Sequence, residues 1–200
     1  MKLLDDIIEL ASNDKEPIGN VLRKCLILES QYPNEAFKGW LDRELDGYGK
    51  DDEVPSYRHI PARSYGMFTG LASNIASQPL NIGVMKPEDR KVIEELRLFQ
   101  PASSYEGRPD KASDAMIPWP VHLTTKYQEN FITTHTLLRA WQSLPGSVII
   151  ALLETVRNRV LRFALEMKKS AGGDDKLLST EDVGAIVDRQ IFSGKKFDWT

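Results

Sequence analysis

The sequence predicts an α+β fold that is predominantly helical, with a small, mostly antiparallel sheet in the middle of the chain and a long core helix near the C-terminus. Three observations support this class. Apolar residues recur at helical spacing over residues 3–45, residues 57–84 are rich in aromatic, β-branched and small side chains, and the segment after Pro145 is apolar on two helical faces. At 200 residues and 41% hydrophobic content, the chain is long enough to bury a core.

Three amphipathic helices are predicted in the first quarter of the chain. The second begins at Pro17, a residue favoured in the first turn of a helix, and the third follows Pro33. Gly47 directly follows the third helix and is predicted to cap it in a left-handed conformation. The expected buried stripes are Leu3, Leu4, Ile7, Ile8 and Ala11; Ile18, Val21, Leu22, Cys25 and Leu26; and Phe37, Trp40, Leu41 and Leu45. Cys25 is therefore interpreted as a core residue, with a reactive thiol as the alternative.

The middle of the chain is predicted to alternate between strands, loops and short helices. Residues 57–69 and 79–84 are predicted as strands, and a helix is expected from Pro87 through Phe99. Residues 100–118 are predicted as a long loop because they are rich in Pro, Ser, Gly and charge. A short helix after Pro120 and a further strand over residues 135–144 complete this region.

The C-terminal part is predicted as the longest helix followed by a tethered tail. The helix begins at Pro145, continues to about Lys169 and is apolar on two faces, so it is either central to the core or packs against a partner. A linker and a final helix capped by Ser179 follow. The predicted domains are thus residues 1–169 and a tail of residues 170–200 that either folds back or docks on another subunit.

Charge and cysteine content narrow the possible partners and location. The net charge is −3 and the pI about 5.7, whereas dedicated nucleic-acid binders usually carry a basic excess, so only a local basic patch stays open. Cys25 is the only cysteine, which excludes an intramolecular disulfide and favours a reducing, cytoplasmic compartment. Asp5 and Asp6 do not suit a signal peptide, and the apolar stretches are too short to cross a bilayer, so no membrane association is expected.

The sequence contains no recognisable catalytic site. His59, His122 and His135 lack metal-ligand spacing, and no Walker loop, dinucleotide fingerprint or nucleophile elbow is present. Neither a metal nor a cofactor is therefore expected. Glu166 and Lys168 have a spacing that a metal nuclease could use, but acids and lysines at such positions in a helix normally face water.

Charged residues on apolar stripes are the more informative feature. Glu44 continues the stripe of the third helix, and Arg157 lies four residues from both Leu153 and Leu161. A buried charge is costly unless it is paired and hydrogen-bonded, so each should have a partner. Glu44 with Arg157 and Glu44 with Arg58 are the leading pairs. A fold-specifying ion pair is the favoured interpretation, and a ligand site is the alternative.

Four segments carry a resemblance to a known family. Residues 22–28 (LRKCLIL), 40–48 (WLDRELDGY) and 54–58 (VPSYR), together with the helical segment 156–161 (VRNRVL), resemble the AbiTii domain family in the same order. The resemblance implies a role in bacterial conflict and abortive infection, and it implies no catalytic residues. Its matched positions have structural explanations as core, cap or strand residues: Trp40, Leu45, Gly47, Tyr48, Pro55 and Tyr57.

Two classes of function are therefore predicted. The first is an antiphage component that acts as a protein-interaction or oligomerisation module, forming a homo-oligomer of two or more subunits or holding another defence-system protein. The alternative is a toxin effector enzyme, a nuclease or nucleotide-processing enzyme, in which Glu44, Arg58 and Arg157 converge in a pocket. A sensor of a phage protein or nucleotide signal is the third option.

Overall fold

The computed structural model describes residues 2–106, 114–172 and 178–192. The helices are α1 (Lys2–Ser12), α2 (Ile18–Gln31), α3 (Glu35–Asp46), α4 (Pro87–Arg90), α5 (Val121–Lys126), α6 (Gly146–Ser170) and α7 (Thr180–Val187), the last continued by a π-helical turn, Asp188–Phe192. The strands are β1 (His59–Pro61), β2 (Arg63–Gly70), β3 (Asn74–Pro79), β4 (Glu95–Arg97), β5 (Ala115–Pro118) and β6 (His135–Leu144). The α+β class and the long C-terminal helix are thereby confirmed.

The chain divides into two compact units. The first draws on the segments Met1–Tyr57, Phe99–Pro109 and Ile150–Asp198, and the second on Arg58–Leu98 and Asp110–Ile149 with Trp199–Thr200. These units do not test whether residues 1–169 fold without the tail, and the predicted domain boundary at residue 169 stays a prediction.

The first unit is a helical assembly around one face of α6. Phe37 of α3 lies against Phe163 of α6, with ring centroids 4.5 Å apart. Trp40 lies one turn further along α3, and its ring is stacked with that of Phe37. The apolar stripes of α1, α2 and α3 are largely buried, as their spacing predicts, but Leu45 is only half-buried, so its placement in the core was wrong.

Two caps fix the ends of α3. Asn34 precedes the helix, and its side-chain oxygen accepts a hydrogen bond from the Phe37 backbone amide at 2.9 Å. Gly47 ends the helix with φ = 96°, as predicted for a glycine cap, and its amide donates to the Arg43 carbonyl. A Cβ atom at this position would lie 2.9 Å from the Phe99 carbonyl oxygen, so another residue would strain both the backbone and this contact.

Residues 178–192, the described part of the C-terminal tail, pack on the same chain. Ser179 and Asp182 form a reciprocal capping box at the start of α7, and Val183, Ile186, Val187 and Ile191 are buried. Glu166 of α6 accepts hydrogen bonds from Arg189 at 2.5 Å and Gln190 at 2.6 Å. The described part of the tail, residues 178–192, therefore lies against the long helix, and docking of the tail on another subunit stays a prediction.

The second unit contains an antiparallel four-stranded sheet in the order β3-β2-β6-β5 and a two-stranded ribbon of β1 and β4. One face of the larger sheet packs on an apolar cluster of Phe68, Met85, Ile93, Trp119, Leu123, Tyr127, Leu137 and Ala140. Within the described part of the chain, no helix is long and apolar enough to cross a membrane.

Several boundaries in this unit differ from the sequence prediction. The strand expected over residues 57–69 is split into β1 and β2, and the strand expected over 79–84 lies earlier, as β3. The helix expected from Pro87 through Phe99 ends at Arg90, because Glu95–Arg97 pairs with β1. The long loop predicted over 100–118 contains a 3₁₀ turn and β5, and its residues 107–113 lie outside the described residues.

Candidate functional site

One cavity of the first unit is lined by the sequence motif around α3. It encloses about 410 Å³, and Trp40, Tyr48, Pro55 and Tyr57 form part of its wall. The remaining lining residues are Arg43, Glu53, Val54, Ser56, Arg159, Ile191 and Phe192. The motif residues, which are separated in sequence, therefore share one surface, to which α6 adds Arg159 and the tail adds Ile191 and Phe192.

A hydrogen-bonded chain fixes the aromatic wall of this cavity. The indole nitrogen of Trp40 donates to the Tyr57 hydroxyl at 2.9 Å, and the Tyr57 hydroxyl donates to Glu44 Oε1 at 2.7 Å. The Tyr48 hydroxyl donates to the same carboxylate oxygen, also at 2.7 Å. Glu44 is completely buried and is not one of the lining residues. Its carboxylate therefore anchors the aromatic wall through charge-assisted hydrogen bonds.

Arg159 connects the long helix, the motif and the tail. Its guanidinium carbon lies 4.8 Å from the centroid of the Tyr57 ring, within the range of a cation–π contact. Its Nη1 atom donates a hydrogen bond to the Ile191 carbonyl. This role of Arg159 is not visible in the sequence, because the ring and the carbonyl that Arg159 contacts are remote in the chain.

Arg43 organises the acidic loop beside the cavity. Its Nε atom lies 3.2 Å from Asp52 Oδ1, while Asp52 Oδ2 accepts a hydrogen bond from the Gly49 amide at 2.6 Å. Asp52 thus holds the turn that follows α3. Asp51 and Glu53 in the same loop are exposed.

Arg157 lies on α6 but binds a different part of the unit. Its guanidinium donates to the backbone carbonyls of Asn13 at 3.0 Å and Glu16 at 2.6 Å, with a longer contact of 3.4 Å to Leu10. Its Nε atom lies 3.7 Å from Glu154. The carboxyl end of α1 carries partial negative charge, which suits a buried cation. The predicted need for a partner is confirmed, but the predicted pair with Glu44 is wrong, since Arg157 binds these groups instead.

Arg58 belongs to the second unit and is fully buried. Its Nη1 atom donates to the Leu98 carbonyl at 2.6 Å, and the Leu98 amide donates to the Arg58 carbonyl at 3.0 Å. Arg58 does not line the cavity around Trp40. The pairing of Glu44 with Arg58 stays a prediction.

The remaining candidates are dispersed. His59 lies 3.0 Å from Glu95, and His135 lies between Ser73 and Thr134 at 3.2 and 2.9 Å, whereas His122 is exposed. Among residues 2–106, 114–172 and 178–192, no three His, Cys, Asp or Glu side chains cluster closely enough to hold a metal ion.

Two residues considered for chemistry have other contacts. Lys168 binds Asp5 at 2.5 Å, and the hydrogen bonds from Arg189 and Gln190 lower the pKa of Glu166. Burial raises the pKa of the Cys25 thiol, which supports its interpretation as a core residue rather than a nucleophile.

The cavity combines aromatic and charged side chains. Its walls are aromatic, and the two tyrosine hydroxyls on its lining are already engaged with Glu44. Two guanidinium groups, from Arg43 and Arg159, and the carboxylate of Glu53 supply its charge. The histidines and Cys25 are absent from the described lining.

Comparison with known proteins gives one match. A family model described as AbiTii matches residues 2–188, which is nearly the whole chain. No curated protein and no solved structure matches the chain. The match includes the motif that lines the cavity, the buried Glu44 and the whole of α6.

Proposed function

Because the chain belongs to the AbiTii family, which suggests an abortive-infection defence component, we propose that it acts as a protein-interaction and oligomerisation module rather than as an enzyme. The observation that carries this proposal is the internal use of the charged motif residues. Glu44 accepts hydrogen bonds from two tyrosines, and Arg157 binds backbone carbonyls, so both charges contribute to the fold. Such an arrangement supports a scaffold.

The surface of α6 supports self-association. Ile150 and Leu165 are 44% and 48% exposed, and Leu161 between them is half-buried. At 3.6 residues per turn, Ile150 and Leu165 lie about 60° apart around the helix axis, so both project from one side. Phe192, in the π-helical turn after α7, is 50% exposed. Val183, Ile186 and Val187 of α7 are buried, so the proposed contact surface rests on α6 and Phe192.

A two-fold symmetric contact between copies would bring each such surface against its equivalent, which is the commonest arrangement in homodimers. We expect light scattering to give the wild type a mass of at least twice the monomer mass of 22.6 kDa. Replacing Leu165 with Glu should lower this mass, because a charge would then be buried at the contact.

Leu71→Glu is the matched control. Leu71 is fully exposed at the turn between β2 and β3, in the second unit, so the same change there should leave the mass unchanged. A wild-type protein that remains a 22.6 kDa monomer at high concentration would refute oligomerisation and leave another defence-system protein as the partner to identify.

The cavity around Trp40 favours a second candidate, an effector enzyme acting on a small anionic substrate. Glu53 and Ser56 line that cavity, are exposed and lie outside the Glu44 network. Under the module proposal, Glu53→Gln and Ser56→Ala should retain the wild-type mass, stability and protection against phage. A folded variant of either kind that loses protection would favour the enzyme.

A further inference from the structure

The four-stranded sheet of the second unit has two different faces. Ser64, Gly66 and Phe68 alternate along β2 on the side that packs against the apolar cluster. Tyr65 and Met67 lie on the opposite side and are only half-buried. We call this opposite side the outer face.

A pair of aromatic rings lies at the centre of the outer face. Tyr65 of β2 is directly opposite Trp141 of β6, with ring centroids 6.4 Å apart and planes inclined by 19°. Pro79 of β3 is paired with Tyr65, and Pro118 of β5 is paired with Trp141. One apolar row therefore crosses all four strands, and both rings remain accessible in part.

Two arginines flank the aromatic pair along the strands. Arg63 lies two residues before Tyr65, and Arg139 lies two residues before Trp141 on the antiparallel neighbour, where it faces Met67. The two arginine positions are therefore roughly 13 Å apart along the strand direction, with the rings midway. Both side chains are exposed, and neither forms an ion pair or hydrogen bond with any described residue.

A cavity beside β2 includes Arg63 and Tyr65 of the outer face in its lining. It measures about 300 Å³ and is lined by Ala62, Arg63, Ser64, Tyr65, Pro79, Leu80 and Ile82. This volume lies at the small end of ligand pockets and has room for a planar group the size of a nucleobase. Ser143 is the residue of β6 directly opposite Arg63, and its hydroxyl donates a hydrogen bond to the Asp114 carboxylate at 2.6 Å.

We propose that the outer face binds single-stranded nucleic acid, with bases stacking on Tyr65 and Trp141 and phosphates contacting Arg63 and Arg139. Aromatic side chains on a sheet, flanked by cations, match the chemistry of single strands, whose unpaired bases expose their ring faces. A duplex hides these faces. The overall charge of −3 is compatible with this proposal because the positive charge is local.

Fluorescence anisotropy with a labelled oligouridine of about twelve nucleotides, a site size within the range known for single-strand binders, tests the proposal. The wild type should bind this probe and should bind the corresponding RNA duplex much more weakly. Trp141→Ala should weaken binding about 5- to 100-fold, the effect of losing one stacked base. An oligodeoxyuridine arm shows whether the ribose hydroxyl contributes.

Arginine variants test the same surface without disturbing its packing. Arg63→Gln and Arg139→Gln should each weaken binding and reduce the slope of log affinity against log salt by about 0.7. Arg162→Gln is the matched control, because Arg162 is an exposed arginine of α6 that forms no ion pair or hydrogen bond with any described residue. This variant should bind the probe as the wild type does. Thermal unfolding of all variants should match the wild type, apart from a small decrease for Trp141→Ala.

The proposal is wrong if the wild type binds neither single strand. It is also wrong if Arg162→Gln weakens binding as much as the outer-face arginine variants do, or if Trp141→Ala, Arg63→Gln and Arg139→Gln all leave tight binding unchanged. If the outer face instead joins copies of the chain, Trp141→Ala and Tyr65→Ala would lower the mass in solution while the wild type fails to bind the probe. The contact proposed for α6 is independent, since its readout is the Leu165→Glu mass.

Discussion

Tyr57 and Glu44 are joined by a hydrogen bond of 2.7 Å in which the phenol donates to a completely buried carboxylate oxygen. Tyr48 donates to the same oxygen, and Trp40 donates to the Tyr57 hydroxyl. The residues that carry the resemblance to AbiTii proteins therefore form a continuous polar network inside the first unit. The Glu44 carboxylate is the centre of that network, so its removal should lower the free energy of unfolding.

Removal of either tyrosine hydroxyl should destabilise the fold. Tyr57→Phe and Tyr48→Phe each leave the buried carboxylate with one donor fewer, and hydrogen bonds to charged groups contribute about 1.5–3 kcal/mol. Urea unfolding measures the change. Tyr32→Phe is the control, because the Tyr32 hydroxyl forms no hydrogen bond with any described residue, and this variant should unfold as the wild type does. Equal midpoints for all three variants would mean that the network does not stabilise the protein.

Replacement of Arg157 by Lys should destabilise the protein although the charge is kept. An ammonium group cannot reproduce the fork that reaches the carbonyls of Asn13 and Glu16 at once. The expected loss is about 1.5–3 kcal/mol in the free energy of unfolding. Arg162→Lys, on the exposed side of the same helix, should cost almost nothing. Similar unfolding curves for the two variants would contradict this role of Arg157.

The second unit should show acid sensitivity that depends on Asp89. Its carboxylate accepts hydrogen bonds from Lys126 at 2.5 Å and Tyr127 at 2.6 Å, and these lower the pKa of Asp89. Below an unfolded-state pKa of about 4, the unfolded chain binds the proton more readily than the folded chain. The stabilisation is therefore complete at neutral pH and disappears as the pH falls through the lowered folded-state pKa.

Asp89→Asn should flatten the acid limb of a plot of unfolding temperature against pH. Asp14→Asn is the comparison, because Asp14 is exposed and its carboxylate forms no ion pair or hydrogen bond with any described residue. If both variants keep the wild-type acid limb, Asp89 does not contribute in this way.

Cys25 should be protected from thiol reagents in the folded protein. Burial raises the pKa of this thiol, so the reactive thiolate is suppressed as well as shielded. Labelling with a chromogenic disulfide should be slow in buffer and reach one thiol per chain in denaturant. Fast, complete labelling of the native protein would contradict the interpretation of Cys25 as a core residue.

The sequence predicted what depends on helical periodicity. Glu44 and Arg157 occur on apolar stripes, and both are buried as that spacing requires. The partners of Arg157 were not predictable, because backbone carbonyls at the end of a helix carry no residue-specific pattern. The contact of Arg159 with the Tyr57 ring was missed for a related reason, since the two are about a hundred positions apart and meet only through the packing of α6.

Short strands limited the prediction of the second unit. β4 has three residues and β5 has four, which is too short for alternation to be recognised. Ile93 and Leu96 fit a helical stripe equally well, and only the pairing of Leu96 with Ile60 settles the matter. The Tyr65–Trp141 pair likewise depends on strand register, which the sequence does not specify at a distance of 76 positions.

Chemical unfolding of Glu44→Gln, measured together with the protection that this variant gives bacteria against phage, tests most directly whether the motif is a scaffold. A neutral amide retains the shape of the side chain but removes the charged acceptor. If the motif is a scaffold, the free energy of unfolding should therefore decrease by about 2 kcal/mol or more. Protection against phage should then decrease only as far as the folded fraction decreases. A variant that unfolds at the wild-type denaturant concentration yet gives no protection would contradict the scaffold role, because Glu44 would then be required for activity rather than for the fold.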